Sequence, residues 1–240
     1  MDYIGNLKKS FASMKWYEWL MAFVLMAIAT KSMVMAFIDP ASSMNPPWLT
    51  VLNWISALCG AICIFFCAKA SVSNFAFGLV NTIVYAIYLW YWKIYGTFCL
   101  EMFFYLPFNL YGWFLWDKHR DDEQDELAKT RKLTIPQSVG VVVFTVVSTI
   151  VYHAILVRVG GNVAWFDSMT VSIGIIATFL ELLRLRESYA LWIVQDVVAV
   201  CMYATMGDSV YLCKKVVYLI MAVIGLRNLC VLQRRNKENE

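Results

Sequence analysis

Charge is what this sequence has least of. Only 15% of its 240 residues are Asp, Glu, Lys or Arg, against about a quarter in a soluble domain. By contrast, 61% are hydrophobic and 16% aromatic, and the mean hydropathy is +0.62. One globule cannot hide so much apolar sequence, so a soluble domain is excluded and a polytopic membrane protein is expected. Histidine is scarcer still. His119 lies in a charged stretch and His153 in an apolar run, and neither has the partners of a nucleophile–base pair or a metal cluster. An enzyme built on either device is therefore not expected, and neither is a cofactor or metal. The seven cysteines lack the paired spacing of a disulfide framework or zinc site. Cys59, Cys63 and Cys67 recur on one face of an apolar helix with no acid or imidazole beside them, which is a packing pattern. The net charge of +3 comes from loop and helix-end residues rather than a stripe, so no nucleic-acid partner is expected. No cleavable leader is expected either, because the first apolar run starts near Trp19 and is long enough to stay as a span.

What the chain does have is apolar runs of spanning length, about 20 residues each. Eight are expected: 19–38, 49–68, 74–92, 97–116, 136–157, 166–184, 189–206 and 209–231. The loops are short except for DKHRDDEQDELAKTRK at 117–132, which reads as a solvated connector. Basic residues set the orientation. Lys8, Lys9, Lys15, Lys69, Lys118, Arg120, Lys129, Arg131, Lys132, Arg184, Arg186, Arg227, Arg234, Arg235 and Lys237 all fall on one side if both termini are cytoplasmic. That is fifteen of the 20 Lys and Arg. Lys93 and Arg158 are the clear violations in the opposite loops.

Polar and small residues recur at a nearly constant offset. Moving on by 113–115 residues, Asn53, Ser56 and Gly60 fall on Asp167, Thr170 and Gly174. Asn81 and Tyr88 fall on Asp196 and Tyr203, and Tyr105 and Gly112 on Tyr218 and Gly225. Two three-helix units separated by one linker helix are implied, a 3+1+3 parallel repeat with one extra N-terminal helix. Repeats of this kind mark transporters, with substrate near the midplane between the units. The expected organisation is a tail and extra helix (1–48), a first bundle (49–116), a charged loop and linker helix (117–165), a second bundle (166–232) and a cytoplasmic tail (233–240).

Several polar side chains lie inside the spans, where a charge costs about 2.5–3.5 kcal/mol on insertion scales. Lys31, Lys214, Lys215 and Glu181 are near enough to helix ends to snorkel. Asn53 and Asp167 suit helix N-caps. Asn81, Asn109, Gln195 and Asp196 lie deeper, and Glu101 about one turn in. A carboxylate such as Asp196, with Trp192 a turn away, is what a flat cationic ligand needs. In YLPFNLYGWFLW (105–116), Pro107 bends a helix in the way tolerated beside a cavity. Asn109 can offer donor and acceptor to a planar polar group. Gly112 allows close approach, and Trp113 and Trp116 suit an interfacial belt. Together Tyr85, Tyr88, Tyr105, Trp192 and Tyr218 supply aromatic faces, Asn81, Asn109 and Gln195 amides, and Glu101 or Asp196 negative charge.

The stretches SNFAFGLVNTIVYAIYLWYWKIYG, EMFFYLPFNLYGWFLW, WFDSM, ALWIVQDVVAV and VVYLIMAVIGLRN resemble the PnuC vitamin transporters over roughly 49–232. The resemblance implies the 3+1+3 arrangement also seen in SWEET sugar transporters. It implies import of nicotinamide riboside, an NAD precursor, by facilitated diffusion across the bacterial inner membrane, with cytoplasmic phosphorylation retaining the substrate. Asn81, Glu101, Asn109, Trp192 and Asp196 match polar or aromatic family positions around the pocket. Three features depart: an acid at 101 where relatives often have an amide, Leu229 where a tryptophan is common, and Lys214 with Lys215. Thiamine is the runner-up substrate, ahead of other vitamins and nucleosides, and an ion-coupled carrier is the mechanistic rival. Beyond substrate and membrane lipid, the sequence allows a homo-oligomer without specifying one.

Overall fold

A computed structural model describes residues 8, 11–67, 73–111, 133–182 and 187–239. Eight helices run through them, and no strand occurs among the described residues. They are α1 (Trp16–Ile38), α2 (Pro47–Cys67), α3 (Ser73–Tyr91), α4, α5 (Ile135–Arg158), α6 (Ala164–Leu182), α7 (Glu187–Met206) and α8 (Ser209–Asn239). The fourth starts as Tyr95–Leu100, passes through a π-helical turn at Glu101–Tyr105 and continues helical over 106–111. Each expected span therefore has its helix. Five of them (α1, α2, α5, α7 and the first part of α8) are long and apolar enough to cross a membrane by length and composition. Gly112, Trp113, Trp116, the charged connector 117–132, Lys9, Lys69, Arg184 and Arg186 lie outside the described residues.

The helix ends follow local chemistry. Lys15 donates its backbone N–H to the Glu18 carboxylate at 2.9 Å, opening α1. Thr134 does the same to the Gln137 side chain at 2.9 Å, opening α5, where Pro136 occupies a first-turn position that needs no donor. Gly207 (φ 76°) ends α7 in a left-handed conformation, with N–H bonds from Gly207 to Ala204 and from Asp208 to Tyr203, a Schellman closure. Asp208 at once starts α8, its Oδ1 accepting the N–H groups of Val210 and Tyr211 at 3.0 Å. The end of α3 is closed in the same way by Lys93 (φ 56°) and Ile94. Lys93, a violation of the charge rule, thus sits where the chain needs a left-handed residue.

Six helices surround the interior and two lie outside it. α2 packs on α3, α6 on α7 and α7 on α8, while α2 meets α8 and α4 meets α6. α1 lies against α2 and α8, and α5 against α6. Much of α5 is bare apolar side chain, Phe144 being 61% exposed and Val142 also 61%. Faces this wide and greasy need lipid, not water. One core, around Leu25, Ala57, Phe65 and Val217, joins α1, α2 and α8. A second is built on tyrosines, with Tyr85, Tyr88, Tyr203 and Tyr211 packed beside Leu49, Leu89 and Met202.

Candidate functional site

Between the six inner helices lies a cavity of about 240 Å³, below the ~300–1,000 Å³ usual for drug-sized ligands, so its occupant must be compact. Eight of the ten sequence-selected residues line it: Asn81, Tyr85, Glu101, Tyr105, Asn109, Trp192, Gln195 and Tyr218. Two do not. Tyr88 is fully buried in the tyrosine core, its hydroxyl donating to Oδ2 of Asp208 at 3.0 Å. Asp196 stands behind Lys215, whose Nζ is 3.4 Å from its Oδ1.

The aromatic segment around Pro107 explains part of the lining. Proline has no N–H and its ring crowds the carbonyl four residues back. Immediately before it the helix widens to a π turn, with the Leu106 N–H reaching back to the Glu101 carbonyl. Such single-turn widenings commonly lie at functional sites. Here the turn carries Glu101 and Tyr105 to the cavity. Asn109 is less free than its position suggests, because its Nδ2 donates to the Tyr105 carbonyl at 2.9 Å.

The polar groups form matched pairs. A Cβ placed on Gly60 would lie 2.6 Å from the Tyr218 hydroxyl, 2.7 Å from Cε of Lys214 and 3.0 Å from Oδ1 of Asn81. One placed on Gly174 would lie 2.7 Å from the Tyr105 hydroxyl, 3.1 Å from Cδ2 of Leu100 and 3.2 Å from Nε2 of Gln195. Asn53 accepts a hydrogen bond from Tyr211 at 3.2 Å. Asp167 accepts three from Thr97 and Gly96, at 2.6, 2.7 and 2.8 Å. Thr82 donates to Glu101 at 3.2 Å, as Lys215 does to Asp196. The members of each pair stand 113 or 114 residues apart in the chain. Against the facing glycines, Asn81 therefore corresponds to Gln195, not to the expected Asp196.

Other expectations change. Asp167 does not cap its own helix but the start of α4, across the interior. Asn53 likewise bonds to the start of α8. Lys31 is exposed, whereas Lys214 is 2% exposed and cannot snorkel. It donates to Ser56 at 2.8 Å and Asn81 at 2.6 Å. The side chain of Glu181 lies outside the described residues. Sequence reasoning also missed Thr82, Thr97, Thr170, Thr178 and Lys215 in the lining. Threonines at helix faces carry no signal of their own, since their hydroxyls can bond to their own helix, as those of Thr170 and Thr178 do.

Comparison with known proteins decides the family. The profile described as "Nicotinamide mononucleotide transporter" matches residues 50–229. The chain belongs to this family. It is 31% identical over 230 residues to "Nicotinamide riboside transporter PnuC" of Neisseria mucosa, covering 92% of this chain and 84% of that protein. It is 27% identical over 239 residues to the protein of the same name from Haemophilus influenzae, covering 98% and 99%. The solved structure described as "Crystal structure of the Vitamin B3 transporter PnuC" superposes with a TM-score of 0.69 at 27% identity, covering 96% of this chain and 98% of that one. The protein is thus a multi-pass membrane transporter of a small molecule and not an enzyme.

Proposed function

We propose that the protein imports nicotinamide riboside by facilitated diffusion across the bacterial inner membrane, and that the cavity is its substrate site. The observation that carries this reading is the composition of the lining. Trp192, with Tyr105 at 6.2 Å between ring centroids, offers faces to a pyridinium, a contact worth about 0.5–2 kcal/mol. Asn81, Asn109 and Gln195 offer amide groups to a carboxamide and ribose hydroxyls, and Glu101 supplies negative charge. Tyr85 and Tyr218 complete the aromatic wall. Asp196 acts through Lys215 and Tyr88 through the tyrosine core. The matched pairs across the cavity support a 3+1+3 parallel repeat, related to the SWEET arrangement, with α1 as the extra helix and α5 as the linker. With eight crossings, and the basic residues gathered in alternate loops, both termini are cytoplasmic.

The family description names a mononucleotide while the relatives named above carry the riboside in their names. A phosphate needs cations free to meet it. Here Lys215 is paired with Asp196, Lys214 is turned onto Ser56 and Asn81, and an acid lines the cavity. This favours the riboside. Titration calorimetry of the purified protein with nicotinamide riboside, its mononucleotide, thiamine, riboflavin and nucleosides tests the assignment. The riboside should bind tightest, and Asn109→Leu should weaken it about tenfold or more. Tighter thiamine or mononucleotide binding overturns the substrate; an unchanged affinity in Asn109→Leu overturns the site. Uptake that requires a proton or sodium gradient would favour the ion-coupled rival.

A further inference from the structure

Lys214 is a buried cation to which the transport reading gives no part in placing the riboside. Its Nζ donates to Oγ of Ser56 and Oδ1 of Asn81, and lies 4.8 Å from the Tyr85 ring centroid, 5.1 Å from Tyr211 and 5.9 Å from Tyr218. It forms no ion pair with a described carboxylate, unlike its neighbour Lys215. Ser56 also donates to the same Oδ1 of Asn81, at 3.0 Å. Both lone pairs of that oxygen are then taken, so Asn81 has only its N–H donors left for a ligand. On the opposite wall the corresponding residue is Leu100, which carries no charge, and Oε1 of Gln195 is buried with no hydrogen-bond partner.

We propose that Lys214 is a positioning residue that determines specificity: its ammonium fills the tyrosine niche and turns the Asn81 donors inward, directing the charged ring of a cationic nucleoside to the Trp192–Tyr105–Gln195 wall. A like charge behind Tyr85 and Tyr218 repels a ligand cation from their side. Asn81 then serves the ligand's acceptors, a hydroxyl or a carbonyl oxygen. On the other wall Trp192 and Tyr105 offer ring faces, and Gln195 an acceptor. Lys214 itself is not part of the cavity lining, so it acts through Asn81 and the tyrosines. This inference rests on the cavity being a site for a cationic nucleoside.

The test compares nicotinamide riboside with its 1,4-dihydro form, which has the same outline but no ring charge, by calorimetry on the purified full chain. In Lys214→Met the affinity ratio of cationic to neutral form should rise about threefold or more. Lys214→Leu, which repeats the Leu100 side chain on this wall, should move the ratio the same way and serves if the Met variant does not fold. Ser56→Ala loosens Asn81 but keeps the charge and should leave the ratio near wild type. A ratio that is unchanged or falls in a folded neutral variant overturns the proposal, as does an equal rise in Ser56→Ala. Loss of both ligands in a folded variant would make Lys214 a direct ligand contact and overturn it too. A wild-type protein that binds neither form defeats the substrate reading instead, and the same ratio is then taken with thiamine and its neutral 3-deaza analogue.

Discussion

Around Gly60 stand a tyrosine hydroxyl, a lysine stem and an asparagine; around Gly174 stand a tyrosine hydroxyl, a leucine and a glutamine. Both walls need a residue without a side chain, because a Cβ would meet the tyrosine at 2.6 or 2.7 Å. They differ in charge. Lys214 has two polar acceptors and three tyrosine rings about it, while its counterpart Leu100 only packs. The outer ends differ as well: Asp167 holds the start of α4 with three short bonds, and Asn53 holds α8 with one. Shape is set by what cannot fit, and chemistry by which polar group fills the same place.

That contrast can be broken at its strongest point first. Asp167→Ala strands two buried backbone N–H groups and a hydroxyl at the start of α4, so stability should fall by about 3–5 kcal/mol. Asn53→Ala, with one neutral bond lost, should cost about 0.6–1.5 kcal/mol. Thermal unfolding in detergent measures both, and equal losses would mean the two ends are held alike. Next come the glycines. Gly60→Ala forces both Tyr218 and the pinned Lys214 aside and should cost about 2–3 kcal/mol, whereas at Gly174 Tyr105 must move and Leu100 and Gln195 need only give slightly, for about 1–2 kcal/mol. The reverse order would show that Lys214 is not firmly held. The smallest effect lies in the matching turns. Lys93 adopts a left-handed conformation that Gly207 takes without strain. Lys93→Gly should therefore stabilise by about 0.5–1 kcal/mol and Gly207→Ala destabilise by a similar amount, read as opposite shifts in melting temperature.

Much of the architecture was legible before any coordinates. Hydropathy alone located the start of each helix to within three residues, because a span must be apolar along its whole length. The break expected between 206 and 209 is where the structure puts it, at a glycine that ends one helix and an aspartate that starts the next. Periodicity could not choose between Gln195 and Asp196, since adjacent residues on a helix point about 100° apart and only packing against Gly174 decides which faces it. Nor could it place Asp196 behind Lys215, or take Lys214 from the membrane surface to Ser56.

The sequence by itself determined the class, the eight helices and most of the polar residues that reach the cavity, because lipid admits so few alternatives for an apolar segment and makes each polar exception conspicuous. Only the tertiary structure decided what those exceptions do. Whether Asp167 caps its own helix or another, whether Lys214 snorkels or turns inward, and which atom of Asn81 remains for a ligand all depend on partners 25 to 158 residues away along the chain. Hydrogen bonds saturate, so each side chain's role follows from which acceptors have already been taken.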